Sequence, residues 1–279
     1  MIPTLATLCA KEFREAMRSR WLIGFSIGFC LFGLGISWIG SLGSSMGGYS
    51  GFGRTTASLV NLILLIVPLM GLFIGAFSLS GERERGTLAL LLSLPIDRKE
   101  IFWAKWIGLG SALGLSLSIA FGLGGIALAM HGGLTDGALY VKCFAVTLIL
   151  ALVSLSLGLL ISSLTRRTAV AAGVTLLIWF VLVFGGDLGI LGTSLAIRLS
   201  PAVLLASAWL NPLSLYRIIA IDLLGANLEM LGPAGHCAQD ALGRWLLPAG
   251  FAGMFVWAAA ALAVSYRIYI RDPLREVSR

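Results

Sequence analysis

The sequence predicts an all-α, polytopic membrane protein with six transmembrane helices, and three observations lead there. Apolar residues make up 58% of the 279 and charged residues 12%, with a mean hydropathy of +0.96, a balance from which no wholly water-facing surface can be built. The apolar residues fall in long unbroken runs, several reaching the roughly 20 residues that a hydrocarbon core of about 30 Å demands of a helix rising about 1.5 Å per residue. Within these runs polar and apolar residues do not alternate, as the roughly ten-residue strands of a membrane barrel would require.

The first element, residues 1–20, reads as an amphipathic helix. Leu5, Leu8, Cys9, Phe13, Ala16 and Met17 share one face at helical spacing, with Lys11, Arg14, Glu15 and Arg18 opposite. Such a helix lies in the interface plane against membrane lipid; a charge cluster that only sets topology is the plainer alternative. The six spans follow at residues 21–40, 57–80, 104–130, 139–164, 169–191 and 245–266. The first reads as a retained span rather than a cleaved signal, because Glu12 and Glu15 precede it and its apolar run is too long for a signal core. Glycines at small-x-x-x-small spacing (Gly24 and Gly28, Gly71 and Gly75, Gly110 and Gly114, Gly185 and Gly189) permit close helix approach. With 35 glycines in the chain such spacings also arise by chance, so they read as packing material.

Lysine and arginine are retained on the cytoplasmic side of a membrane. With the N-terminus inside, all of the 20 basic residues except Arg54, Lys142, Arg198, Arg217 and Arg244 fall on that side. Both termini are expected in the cytoplasm, and the net charge of +7 needs no nucleic-acid partner.

The cytosolic loop at 81–103 is the most informative segment. It opens Glu82, Arg83, Glu84, Arg85, Gly86, Thr87; the charges carry the second span out of the membrane, Gly86 ends it, and Thr87 caps a new helix. That helix is expected at 88–94, with Leu88, Leu91 and Leu92 on one face, stopped by Pro95; Asp97 then starts the next helix with Glu100 three residues on. An apolar face presented to water needs a groove to bury it, either on a moving partner or on the membrane surface. The outer loop at 192–244 holds apolar pieces at 202–210 and 213–224, too short to cross and interrupted by Pro201, Pro212 and Pro233. They read as two short helices dipping into the outer leaflet, to gate a pathway, dock a partner or serve as a lid.

Several chemistries are missing from the sequence. None of the four lysines, Lys11, Lys99, Lys105 and Lys142, stands in a G-x-x-x-x-G-K-[ST] phosphate loop, so ATP hydrolysis, with its ATP and Mg, is expected in another chain, and no cofactor and no catalytic residue in this one. Charged residues are nearly absent from the spans, with Asp187 near an outer end, which disfavours an ion-coupled carrier. His131 and His236 both fall in outer loops, so no intramembrane protease site assembles. Together with Cys237, Met46, Met130 and Met230 they offer soft ligands for copper, but the spacing specifies no site and solvated or packing roles suffice; no metal site is assigned. Cys9, Cys30, Cys143 and Cys237 have no C-x-x-C spacing; Cys143 and Cys237 share the outer side, where a disulfide or two free thiols are both open.

The run G-E-R-E-R-G-T-L-A-L-L-L-S-L-P-I-D-R-K-E-I-F-W-A-K, ending at Lys105, resembles the segment that marks permeases of the ABC-2 exporter family. The resemblance covers nearly the whole chain and implies the ABC-2 (type V) exporter architecture, with an N-terminal interfacial helix, six spans and short re-entrant outer helices before the sixth. It implies that 88–94 is a coupling helix, and that Glu82, Arg83, Glu84, Arg85, Thr87, Leu88, Leu91 and Leu92 meet a separate ABC ATPase, with two permeases and two ATPases assembling together in a bacterial inner membrane. Three shorter runs, K-E-F-R-E-A-M-R-S-R-W-L at 11–22, I-S-W-I-G at 36–40 and L-N-P-L-S-L-Y-R at 210–217, are similar to NosY-type permeases of the transporter that helps mature the copper enzyme nitrous-oxide reductase. That likeness implies a NosF-like ATPase, a periplasmic β-helical (NosD-like) protein, and an outer docking or gating role for Asn211, Pro212, Tyr216 and Arg217. An ABC-2 half-transporter for a drug, lipid or glycan, and a membrane scaffold that transports nothing, are the competing readings.

Overall fold

The structure, a computed structural model, describes residues 2–44, 50–93, 95–130, 137–196, 209–223 and 243–271. Nine α-helices and no strand occur among them: α1 (Ile2–Met17), α2 (Arg20–Ser44), α3 (Ser50–Glu84), α4 (Thr87–Ser93), α5 (Arg98–Met130), α6 (Gly137–Leu164), α7 (Thr168–Ala196), α8 (Pro212–Leu223) and α9 (Leu246–Arg271). Five described stretches are long and apolar enough to cross a membrane: Ser58–Glu84, Arg98–Ile126, Gly137–Leu164, Thr168–Gly185 and Leu246–Arg271. On α2 the described apolar stretch, Arg20–Gly35, is shorter.

The core is built on α3 and α6. Each has glycine where the other comes closest: a methyl group at Gly158 would lie 2.5 Å from the Leu72 carbonyl oxygen, and one at Gly75 would lie 2.6 Å from the Leu155 carbonyl. Backbones at that distance exclude every side chain larger than hydrogen. Gly71 completes the seam against Ala151 and Ser154. Along it lie Val67, Met70, Leu150, Leu155 and Leu159, all buried. Further polar links are local: the Trp106 indole donates to Ser156 Oγ at 3.2 Å, joining α5 to α6, and Tyr140 donates to the Phe121 carbonyl at 2.7 Å. On α5 the outward serines Ser111 and Ser118 donate to their own helix at Gly108 and Gly114, leaving an apolar outer face of Ile107, Leu115, Ile119 and Leu123.

Two expected short helices gain their surroundings here. The apolar face of α1 lies along α5 of the same chain rather than standing free for lipid, because Gly108 lets it approach until a methyl there would be 2.7 Å from Glu12 Cβ. The short helix expected at 213–224 is present as α8, and with Leu213, Leu215, Tyr216, Ile219 and Ala220 buried among α6, α7 and α9 it does not serve as the alternative, a surface lid. Gly250 and Gly253 of α9 leave the room that Ile219, Leu215 and the Trp209 ring fill. The second expected outer helix, 202–210, lies almost wholly outside the described residues, as do His131, His236, Cys237, Met46, Met230 and the side chains of Met130 and Asp187. Cys143 is a free thiol.

Candidate functional site

Successive residues of an α-helix point about 100° apart, so three consecutive charged residues reach three different neighbours. At the end of α3 they do. Glu82 turns inward to α5 and α1, where its Oε1 lies 2.8 Å from Lys105 Nζ and 3.4 Å from Lys11 Nζ. Arg83 turns to the last turn of α6, its Nη1 donating to the carbonyls of Ser162 (2.8 Å), Ser163 (3.2 Å) and Thr165 (2.9 Å). Glu84 turns to the start of α7, accepting the Thr168 N–H at 2.8 Å and the Thr168 hydroxyl. Cation at a helix C-terminus and anion at an N-terminus is the arrangement that the orphan carbonyls and N–H groups favour. One short motif thus clasps both sides of the α6–α7 turn.

The inward branch is the most deeply buried charge in the described residues. Lys105 is 1% exposed, Glu12 and Glu82 5% each. Lys105 Nζ stands 3.0 Å from Glu12 Oε1, and Lys11 bridges Glu12 at 3.2 Å and the exposed Glu15 at 3.5 Å. Two ammoniums thereby neutralise the two buried carboxylates, which burial on this scale requires. Burial alone would push the Glu12 carboxyl up, but Lys105 and Lys11 together hold it below its ordinary value. For Lys11, burial works against the charge while Glu12, Glu82 and Glu15 raise its pKa further. Glu12, Glu15 and Glu82 offer carboxylates within 4.8 Å of one another, yet the lysines already fill the cation role there.

Beyond Glu84 the chain turns at Gly86, whose φ of 73° suits glycine, and enters α4. Thr87, expected to cap that helix, is its first residue and donates instead to the Glu82 carbonyl at 3.3 Å, tying α4 back to α3. The leucine face also points the other way from expectation. Leu88 is fully buried and Leu91 and Leu92 pack on the core, because the nearest apolar surface to a seven-residue helix is its own bundle. What α4 offers to solvent is Leu90, 71% exposed, with Ala89 and Ser93. Of the residues expected to meet an ATPase, Glu84, Arg85 and Thr87 are exposed, whereas Glu82, Arg83 and Leu88 are committed to internal contacts. Arg85 donates to the Gly81 carbonyl at 3.1 Å.

The residues expected to dock an outer partner cluster apart from these, around α8. Asn211 caps the helix by accepting the Leu213 N–H at 3.0 Å and donates Nδ2–H to the Leu182 carbonyl of α7 at 2.6 Å. Pro212 is buried, and Tyr216 is wholly enclosed with its hydroxyl 3.1 Å from Thr147 Oγ1. Only Arg217 is part-exposed; capping and core contacts use the others.

Comparison with known proteins settles the family. The model of the ABC-2 family transporter proteins matches residues 6–274, nearly all of the chain. The chain belongs to the ABC-2 transporter family. Curated relatives span the same length: the probable ABC transporter permease protein NosY of Pseudomonas aeruginosa is 32% identical over 98% of this chain and 100% of its own, and that of Stutzerimonas stutzeri 29% over 95% and 97%. This ABC-2 chain is therefore a permease subunit of an ABC transporter.

Sequence reasoning missed Glu12 and Lys105 as partners. The signal was present: Glu12 stands four residues after Leu8 and four before Ala16, in the middle of an otherwise apolar face, and Lys105 falls inside an expected span. A charge on each of two apolar surfaces predicts that the surfaces meet.

Proposed function

We propose that this permease serves the machine that matures the copper centre of nitrous-oxide reductase, converting ATP hydrolysis on a separate NosF-like ATPase into transport or conformational work. The observation that carries the coupling reading is the clasp at the root of α4: Glu82, Arg83 and Glu84 join the segment leading into α4 to α1, α5, α6 and α7. A push on α4 would be distributed to the bundle rather than absorbed by a loop. The narrower assignment draws support from the name that both relatives carry. In this reading α2 is the first of six spans, the end bearing α1 and α4 faces the cytoplasm of an inner membrane, two copies assemble with two ATPases that bind ATP and Mg, and a periplasmic NosD-like β-helical protein docks on the opposite face. The ATPase meets Leu90 and the exposed charges beside it.

Purification of a tagged copy from its native host in mild detergent, with every stoichiometric partner identified by mass spectrometry, tests both levels. An ATPase with a β-helical periplasmic protein is the expected set. Recovery of the ATPase alone would defeat the nitrous-oxide reductase assignment, and recovery of neither, beside a control transporter that stays intact, would defeat the coupling.

A further inference from the structure

Of the five described membrane-length stretches, Thr168–Gly185 of α7 is the least buried. From Thr168 to Gly185 only Ala171 and Thr175 are buried; Ala171, with Ile178 and Trp179 beside it, meets Leu72, Ala76 and Ile161, and Leu182 and Val183 rest on the main core. Thr175 Oγ1 is buried there with no hydrogen-bond partner. Three polar pins add to that contact. Glu84 of α3 takes the Thr168 N–H at the start of α7, the Trp179 indole donates to the Leu65 carbonyl of α3 at 3.0 Å near its midpoint, and Asn211 donates to the Leu182 carbonyl at 2.6 Å one turn further on. The 14 residues from 168 to 182 span roughly 21 Å of helix.

Resting on the coupling reading above, we propose that α7 is a connecting rod: Glu84 is the positioning residue that drives it from the root of α4, and Asn211 is the positioning residue that hands its displacement to α8. Both pins are a side chain of one element holding backbone of α7, Glu84 at its start and Asn211 at its midpoint. Such bonds transmit translation without the side-chain interlocking that keeps α3 fixed to α6. In this proposal α7, with most of its surface outside the bundle, takes up a second position when the root of α4 moves.

The test uses the full chain in lipid nanodiscs with its co-purified ATPase, its four native cysteines replaced by alanine, and spin labels at Leu177→Cys on α7 or Ile221→Cys on α8, each paired with Ile119→Cys on α5. Addition of Mg and ATP is expected to shift both distances in the parent. Glu84→Ala should abolish both shifts, and Glu84→Gln, which removes the charge but keeps an amide oxygen to accept the Thr168 N–H, should restore them; loss in both variants would assign the effect to the carboxylate's charge and overturn the rod. Asn211→Ser keeps a cap for α8 but is too short to reach Leu182, so it should abolish only the α8 shift. An α7 shift that survives Glu84→Ala overturns the rod and leaves the transporter reading standing. A parent that shows no nucleotide-dependent shift overturns that reading, and the rod with it.

Discussion

The helices α3 and α7 are both long, apolar and rich in glycine, yet one is locked and the other is pinned. Between Val60 and Glu82 nearly every residue of α3 is buried or half-buried, against α6 along the Gly71, Gly75 and Gly158 seam, and its end is sealed by the Lys105 ion cluster. Through Gly185, α7 keeps most of its surface outside the bundle and is tied to its neighbours by polar bonds from Glu84, Trp179 and Asn211 beside a few apolar contacts. Apolar length decides that a helix resides in lipid; what it is fixed to depends on where small residues and buried charges match across an interface.

The largest expected effect comes from unsealing the locked side. Lys105→Met leaves Glu12 and Glu82 buried with only the half-exposed Lys11 beside them, and breaking a buried ion pair in this way costs about 3–5 kcal/mol. Thermal unfolding of the detergent-solubilised protein should fall accordingly, or folded yield should collapse; an unchanged midpoint would mean that the cluster is hydrated. Replacing the three buried members of the cluster with apolar residues of similar volume (Lys105→Met, Glu12→Met, Glu82→Met) should recover much of the loss.

Next comes the seam. Gly158→Ala places its methyl on the Leu72 carbonyl and should destabilise by about 1–3 kcal/mol through forced backbone separation. Gly24→Ala is the matched control: it has the same spacing motif, but nothing lies within 4 Å of the added carbon, so the change should be neutral or stabilise by up to ~1 kcal/mol from helix propensity. Equal effects at the two sites would show that the α3–α6 distance relaxes freely.

Acid acts on the same cluster more gently. The Glu12 carboxyl is held below its ordinary 4.5, so its contribution to stability is complete above that value and is lost as the pH falls through the lower folded value. Hydrogen exchange in residues 8–16, corrected for the intrinsic rate, should rise as the pH drops below about 4.5, reporting release of α1 from α5. Glu12→Gln should remove that acid dependence.

How much of this was legible in the sequence follows from the same contrast. Elements carried by periodicity and punctuation were readable: the apolar runs, the turn at Gly86 and the start of α5, where Asp97 Oδ1 accepts the Lys99 N–H at 3.4 Å. Pair relations across helices were not. Four glycine pairs had the same spacing, and only the partner's identity makes Gly71 and Gly75 a seam while Gly24 and Gly28 face open space. The charged motif was found but its direction was misjudged: exposed charges and internal clasps look alike in one dimension, and Glu82 differs from Glu84 only in the 200° of helix rotation between them. The outer residues Asn211, Pro212 and Tyr216 were singled out, yet capping and burial occupy them, as a polar side chain among short apolar pieces often signals.

The smallest change in stability should accompany the most telling change in assembly. On α4, Leu88 and Leu90 are two residues apart and point to opposite worlds, one 0% and the other 71% exposed. Leu88→Asp puts an unpaired charge into the core and should destabilise by several kcal/mol, of the order seen when a buried charge loses its partner. Leu90→Asp lies on the solvent side of α4 and should leave unfolding within about 0.5 kcal/mol of the parent. If Leu90 fills an apolar groove on the ATPase, the aspartate there loses that contact and carries a desolvation penalty besides, so the ATPase should no longer co-purify although the permease remains folded. Retention of the ATPase by Leu90→Asp would place the coupling contact elsewhere, on Arg85 and the exposed basic residues at the same end. Leu91, half-buried between the two, cannot make this distinction, because its substitution perturbs fold and contact together.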